Sequence, residues 1–171
     1  MKSFVLKVLD DIDVEVQMTL DGLSLEQLMW QPAPQSNSIG WLAWHIARLQ
    51  DARAADLSGH SQLWTRDSWH ERFGLDADPV NNGRGHSDAE VAAVRPESAD
   101  ALRDYAHSAH MFLRGEIEKQ DDLDSDRVLN GDSGDATVRD LVFRAVHGGL
   151  AHSGQLMYVR GLVEKRRWFP R

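Results

Sequence analysis

Between Thr137 and Lys165, Val138, Leu141, Ala145, Gly149, His152, Leu156, Val159 and Val163 recur every three or four residues. That period marks a helix with one buried stripe. At about 1.5 Å per residue such a helix is roughly 40 Å long. A stripe of that length needs other long helices to cover it, which points to a bundle.

Three further stretches carry the same period. Val5, Val8, Leu9, Ile12, Val16, Thr19 and Leu20 predict a first helix over about Ser3 to Asp21, with Ser3 as cap and Gly22 as stop. Leu42, Ile46 and Leu49 predict a second, opening at Asn37 or Ser38 and closing before Gly59. Leu102, Tyr105, Ala109, Phe112 and Ile117 predict a third over Ser98 to Lys119. Between the first two, Ser24-Leu-Glu-Gln-Leu28 starts a short turn of helix, and the prolines of Trp30-Gln-Pro-Ala-Pro34 forbid its continuation. From Ser58 to Pro96 the period breaks, and short helices are expected at Leu63–Phe73 and Ser87–Arg95. Ser87-Asp-Ala-Glu90 has the form of a capping box. Asp121 to Asp135 reads as an acidic linker. It lacks the Asp-x-Asp-x-Asp-Gly pattern of a calcium loop. The expected fold is all-α: a single domain over residues 1–171, a four-helix bundle with a long loop between its second and third helices.

Composition narrows the function. With 42% apolar residues and six Trp, the chain can fill a core. Its formal charge of -8 opposes nucleic acid and anionic membrane surfaces, both of which draw binding energy from Lys and Arg. No cysteine is present, so disulfides, thiolate zinc sites and cysteine nucleophiles are excluded. The N-terminal residues lack the apolar run of a signal peptide, and no apolar stretch reaches about 18 residues. A cytoplasmic protein acting on a small-molecule substrate is the expectation.

Histidines are the candidates for chemistry. His152 falls on the apolar stripe of the last helix, where an imidazole needs a partner. His45 flanks the stripe of the second helix. Two such side chains are either core histidines satisfied by hydrogen bonds or ligands of a shared metal, and sequence alone leaves both open. His147 stands about 140° around an ideal helix from His152. It joins that site only if the Gly148-Gly149 pair lets the helix bulge. Otherwise it belongs on the outer surface. His107 and His110, spaced three apart, read as solvated. His70 and His86 lie in the irregular segment, where either can line a pocket. His60 reads as an exposed turn residue. Trp41 and Trp44, off the main stripe, suggest uncovered aromatic surface and hence a homodimer.

The segments Trp30–Pro34, Asn37–His45, Gly85-His86-Ser87, Val91–Arg95, His152-Ser-Gly-Gln155 and Tyr158–Leu162 together resemble the DinB/YfiT-like superfamily of four-helix bundles. Within it they resemble an actinobacterial branch. The resemblance implies a divalent metal, zinc or nickel, held by one histidine of the second helix and two ligands of the last. Those positions map to His45, His152 and Gly148, with His147 as the substitute for the missing third ligand. Better-known relatives are S-transferases and isomerases that use a low-molecular-weight thiol. Two functions therefore stand as expectations. One is a metal-dependent enzyme, a thiol S-transferase or hydrolase, with Trp64–Phe73 as a lid or wall. The other is a bundle that has lost catalysis and serves as a ligand-binding or dimeric interaction protein.

Overall fold

The computed structural model describes residues 1–132 and 134–169. In chain order it contains α1 (Lys2–Leu20), α2 (Leu25–Met29), α3 (Ile39–Ser58), α4 (Leu63–Arg66) and a 3-10 turn (Trp69–Phe73). Then follow α5 (Asp88–Ala93), α6 (Ala99–Lys119), β1 (Val128–Gly131), β2 (Gly134–Thr137) and α7 (Val138–Val163). The four long helices are those the apolar period predicts.

Their ends are set by local chemistry. The side chains of Ser38, Ser98 and Thr137 accept from the backbone N–H groups of Trp41, Ala101 and Asp140. Each such cap is worth about 1 kcal/mol. Ser87 and Glu90 form the capping box of α5, and Gly59, at φ 72°, closes α3 in the left-handed conformation. Ser3 does not cap α1, which begins one residue earlier and has no side-chain cap. The single short helix expected over Leu63–Phe73 is broken in two, because Ser68 turns to φ 55° between α4 and the 3-10 turn.

α3 packs against α6 and α7, and α1 packs against the same pair, so α1 and α3 occupy opposite corners of the bundle. Leu9, Ile12, Leu20, Leu42, Leu102, Leu113 and Leu156 lie in one continuous core. Burying each of them stabilises the fold by about 1.5–3 kcal/mol. At the α1–α7 contact Gly149 has no side chain to hold Ile12 off; a Cβ there would lie 2.7 Å from Ile12 Cδ1.

The acidic linker is not structureless. Val128 pairs with Thr137 and Gly131 with Gly134 in a short antiparallel hairpin that rests on α3. Asp132 Oδ2 accepts from Gln62 Nε2 at 3.2 Å. The hairpin escapes sequence reading because its strands are four residues long and only Ala136 among their residues is buried.

A buried polar cluster ties the long loop down. Arg48 and Asp51, both inaccessible to solvent, face each other at 3.5 Å. Tyr105 Oη donates to Asp51 Oδ2, which also accepts from Trp64 N, while Asp51 Oδ1 accepts from Leu63 N. Arg48 donates to the carbonyls of Asn81, Pro79 and Asp78. One guanidinium thus holds the course of residues 78–81. Trp41 and Trp44 are buried (6% and 0% exposed), so these two indoles belong to the core and not to an uncovered aromatic surface. Among the described residues no helix is long and apolar enough to cross a membrane.

Candidate functional site

A cavity of about 350 Å³ opens between α3 and α7. His45, Leu49 and Arg53 line it from α3; Arg144, Gly148 and His152 line it from α7. Each set has four-residue spacing, which puts its members on one helix face. The two rows run in opposite directions. At one end the His45 and His152 rings meet edge to face, with centroids 4.8 Å apart. In the middle Leu49 faces Gly148, where a Cβ would stand 4.0 Å from Leu49 Cδ1. At the other end Arg53 feels the charge of Arg144. Trp41, Gly83, Arg84, Gly85 and His147 complete the wall.

His45 is held on three sides. Its ring stacks on Trp41 at 4.8 Å. Its Nδ1–H donates to the carbonyl of Asn82. That bond selects the tautomer and leaves Nε2 with its lone pair free. Burial lowers the pKa to about 4, opposed by the Asn82 hydrogen bond and assisted by His152, Arg53 and His86. At neutral pH His45 is therefore an uncharged acceptor.

Gly83 makes this arrangement sterically possible. At φ 91° it passes between the rings, and a Cβ would lie 2.8 Å from Trp41, 2.9 Å from Trp44 and 3.1 Å from His45 Nδ1. His86 supports the site from behind. Its Nδ1 accepts from Trp41 Nε1 at 3.2 Å, and its Nε2 therefore donates to Asn81 Oδ1 at 2.8 Å.

His152 is half-buried on the flank of the α7 stripe, not at its centre; Ser153 takes the core position at 1% exposure. Gln155, one turn on, accepts from His152 Nδ1 at 3.0 Å. This gives a physical role to the Gln of the His152-Ser-Gly-Gln155 motif: it orients the ring and frees Nε2. His147 is exposed and stacks on Phe143 at 5.5 Å. α7 continues as regular α-helix through Gly148 and Gly149, with no bulge to rotate His147 inward. Among the described residues no three of His, Asp and Glu form a group able to hold a metal ion. The donor set does not fit a three-ligand centre: two imidazoles are present, the third position is glycine, and the remaining charged wall is guanidinium.

The model of the DinB superfamily matches residues 11–156. The chain belongs to the DinB superfamily. It is also similar to a conserved protein from Enterococcus faecalis of known crystal structure. The two share 25% identity with a TM-score of 0.85, over 97% of this chain and 98% of that one. No curated protein matches.

Within this DinB fold the structure brings His45 and His152 together and leaves His147 on the rim. His70 and His60 lie away from the cavity, and His86 stands behind it. Trp64 and Phe73 are wholly buried around Tyr105, so that segment forms core and not a lid; Gly83–Gly85 provides the wall instead. His110 is not solvated but 3% exposed, with Nε2 3.1 Å from Asp10. The arginines escaped sequence reading. Their signal was the four-residue spacing of Arg53 from Leu49 and His45, and of Arg144 from Gly148 and His152.

Proposed function

We propose that this DinB-superfamily protein binds a small molecule between α3 and α7 and applies the His45 and His152 imidazoles directly to it, with no tightly held metal between them. The observation that carries this reading is the regular α-helical course of α7 through Gly148, which leaves His147 against Phe143. A catalytic zinc centre uses three protein ligands; here two imidazoles face an empty third position. That space is the middle of the cavity.

A second reading, a metal-dependent thiol S-transferase or hydrolase, is favoured by one observation. Both Nδ1 atoms are engaged, by Asn82 and Gln155, which leaves two Nε2 lone pairs on adjacent rings. Zinc titration of three proteins decides between the two. A Cβ on Gly148 has room, so Gly148→His can add the missing ligand. It is expected to tighten zinc binding by roughly 100-fold, the share of one ligand in a structural site worth about 10–16 kcal/mol. His147→Ala is expected to leave the weak binding of the parent unchanged. Stoichiometric binding by the parent that His147→Ala abolishes would sink the first reading and establish the second.

A further inference from the structure

We propose that the molecule taken by this cavity carries an oxyanion, a carboxylate or phosphate, at one end, seated among Arg53, Arg84 and Arg144, while its other end reaches His45 and His152. This rests on the reading of the cavity as a small-molecule site. The chain as a whole is acidic, with 27 Asp and Glu against 19 Lys and Arg. Yet the cavity wall contains three arginines and three histidines and no carboxylate. A cavity so lined repels a free dication and attracts an anion.

Arg53 is the anchor. One of its terminal nitrogens donates to Leu49 O at 2.6 Å, but its Nε–H is buried without a partner. A buried donor left unpaired is costly, and a bound acceptor relieves that cost. Its charge is also poorly answered. Burial, then Arg144 and Arg84, push its pKa down to about 10, against the pull of Asp56. Asp56 is itself occupied, accepting from the backbone of Asp132 under the hairpin. Among the described residues the guanidinium groups of Arg84 and Arg144 form no hydrogen bond or ion pair. Asp140 lies within electrostatic reach of Arg144 but closes the capping box at the start of α7. Three guanidiniums on one cavity wall, whose nearest carboxylates, Asp56 and Asp140, are hydrogen-bonded elsewhere, are the complement of a planar or tetrahedral oxyanion.

The register sets the rest of the ligand. Eight residues of helix, about 12 Å, separate the arginine layer from the histidine layer. Leu49 and the bare Gly148 lie between them, so the middle of the ligand meets an apolar wall. A volume of about 350 Å³ is that of a small metabolite.

The test uses a matched pair of probes, 4-phenylbutyrate and its uncharged amide, with inorganic phosphate as a third. Sodium chloride keeps ionic strength constant. Binding is read from the imidazole NMR signals of His45 and His152. The acid is expected to bind saturably and at least about tenfold tighter than the amide, the value of one charge-assisted hydrogen bond. Arg53→Gln and Arg144→Gln should each remove that advantage and leave amide binding alone. Arg127→Gln, which changes an exposed cation near the hairpin, should leave the binding of both probes unchanged. Equal binding of acid and amide, or equal weakening by Arg127→Gln, overturns the oxyanion assignment and leaves the small-molecule reading standing. Gly148→Leu, which fills the cavity without changing charge, should block both probes. If none of the three probes perturbs either histidine at millimolar concentration, both the assignment and the reading beneath it fail.

Discussion

At the scale of the residue, the site depends on two positions whose properties come from their surroundings. His45 is neutral because burial makes its charged form expensive, and its folded pKa of about 4 lies below the ordinary 6.5. The sign follows from proton counting. Between those two values the unfolded chain binds more protons than the folded one, so stability rises with pH. The contribution is fully present above about 6.5 and is lost as pH falls towards 4. It amounts to about 3 kcal/mol. NMR titration of metal-free protein should place the His45 midpoint near 4, and His45→Gln should flatten the stability profile in that window. A midpoint near 6.5 would show that the ring is solvated. Gly83 is the second position. Gly83→Ala should cost about 2–4 kcal/mol in urea unfolding, from positive φ and from overlap with two indoles. Gly85→Ala, at φ 77° with open space around it, carries the backbone cost alone, about 1 kcal/mol. Equal losses at the two glycines would show that the indoles yield.

At the scale of the element, the loop after α4 matters more than its lack of periodicity suggests. It supplies the carbonyl that orients His45, the glycine that threads between Trp41 and Trp44, and Arg84 of the cavity wall. Arg48 holds this loop, and Asp51 anchors the start of α4 through two backbone N–H groups. Arg48→Met removes the guanidinium and leaves the Asp51 carboxylate buried, which is expected to cost about 3–5 kcal/mol. Hydrogen exchange through residues 76–86 should rise with it. A variant that unfolds at the parental urea concentration would show that the cluster contributes nothing net. The element boundaries also show where sequence reading reaches. Ser38, Ser87, Ser98 and Thr137 announce their helices because a cap is a contact within four residues. The hairpin after α6 and the break at Ser68 depend on what lies across the bundle.

At the scale of the whole molecule, one core joins all four long helices, the loop segment and the hairpin. The chain should therefore unfold as one unit. Far-ultraviolet circular dichroism and tryptophan fluorescence should report coincident urea transitions. Trp44 and Trp64 lie in that core, so fluorescence reports the packing on which the helices depend. A fluorescence change completed before helix is lost would show that the loop and its indoles fold separately.

The four long helices, most of their caps and the bundle class were legible in the order of residues, because a 3.6-residue period and a cap are local. That order also placed His45 and His152 as the pair to watch, since an imidazole beside an apolar stripe needs a partner. Tertiary structure decided what surrounds that pair. The antiparallel register of α3 and α7 set Arg53 near Arg144 and Leu49 opposite Gly148. The course of residues 78–81, held by Arg48, brought the following Asn82 and Gly83 to His45. The straightness of α7 through two glycines kept His147 outside. Each of these depends on distances between segments far apart in the chain, and an imidazole's tautomer and charge depend on what those segments bring within hydrogen-bonding reach.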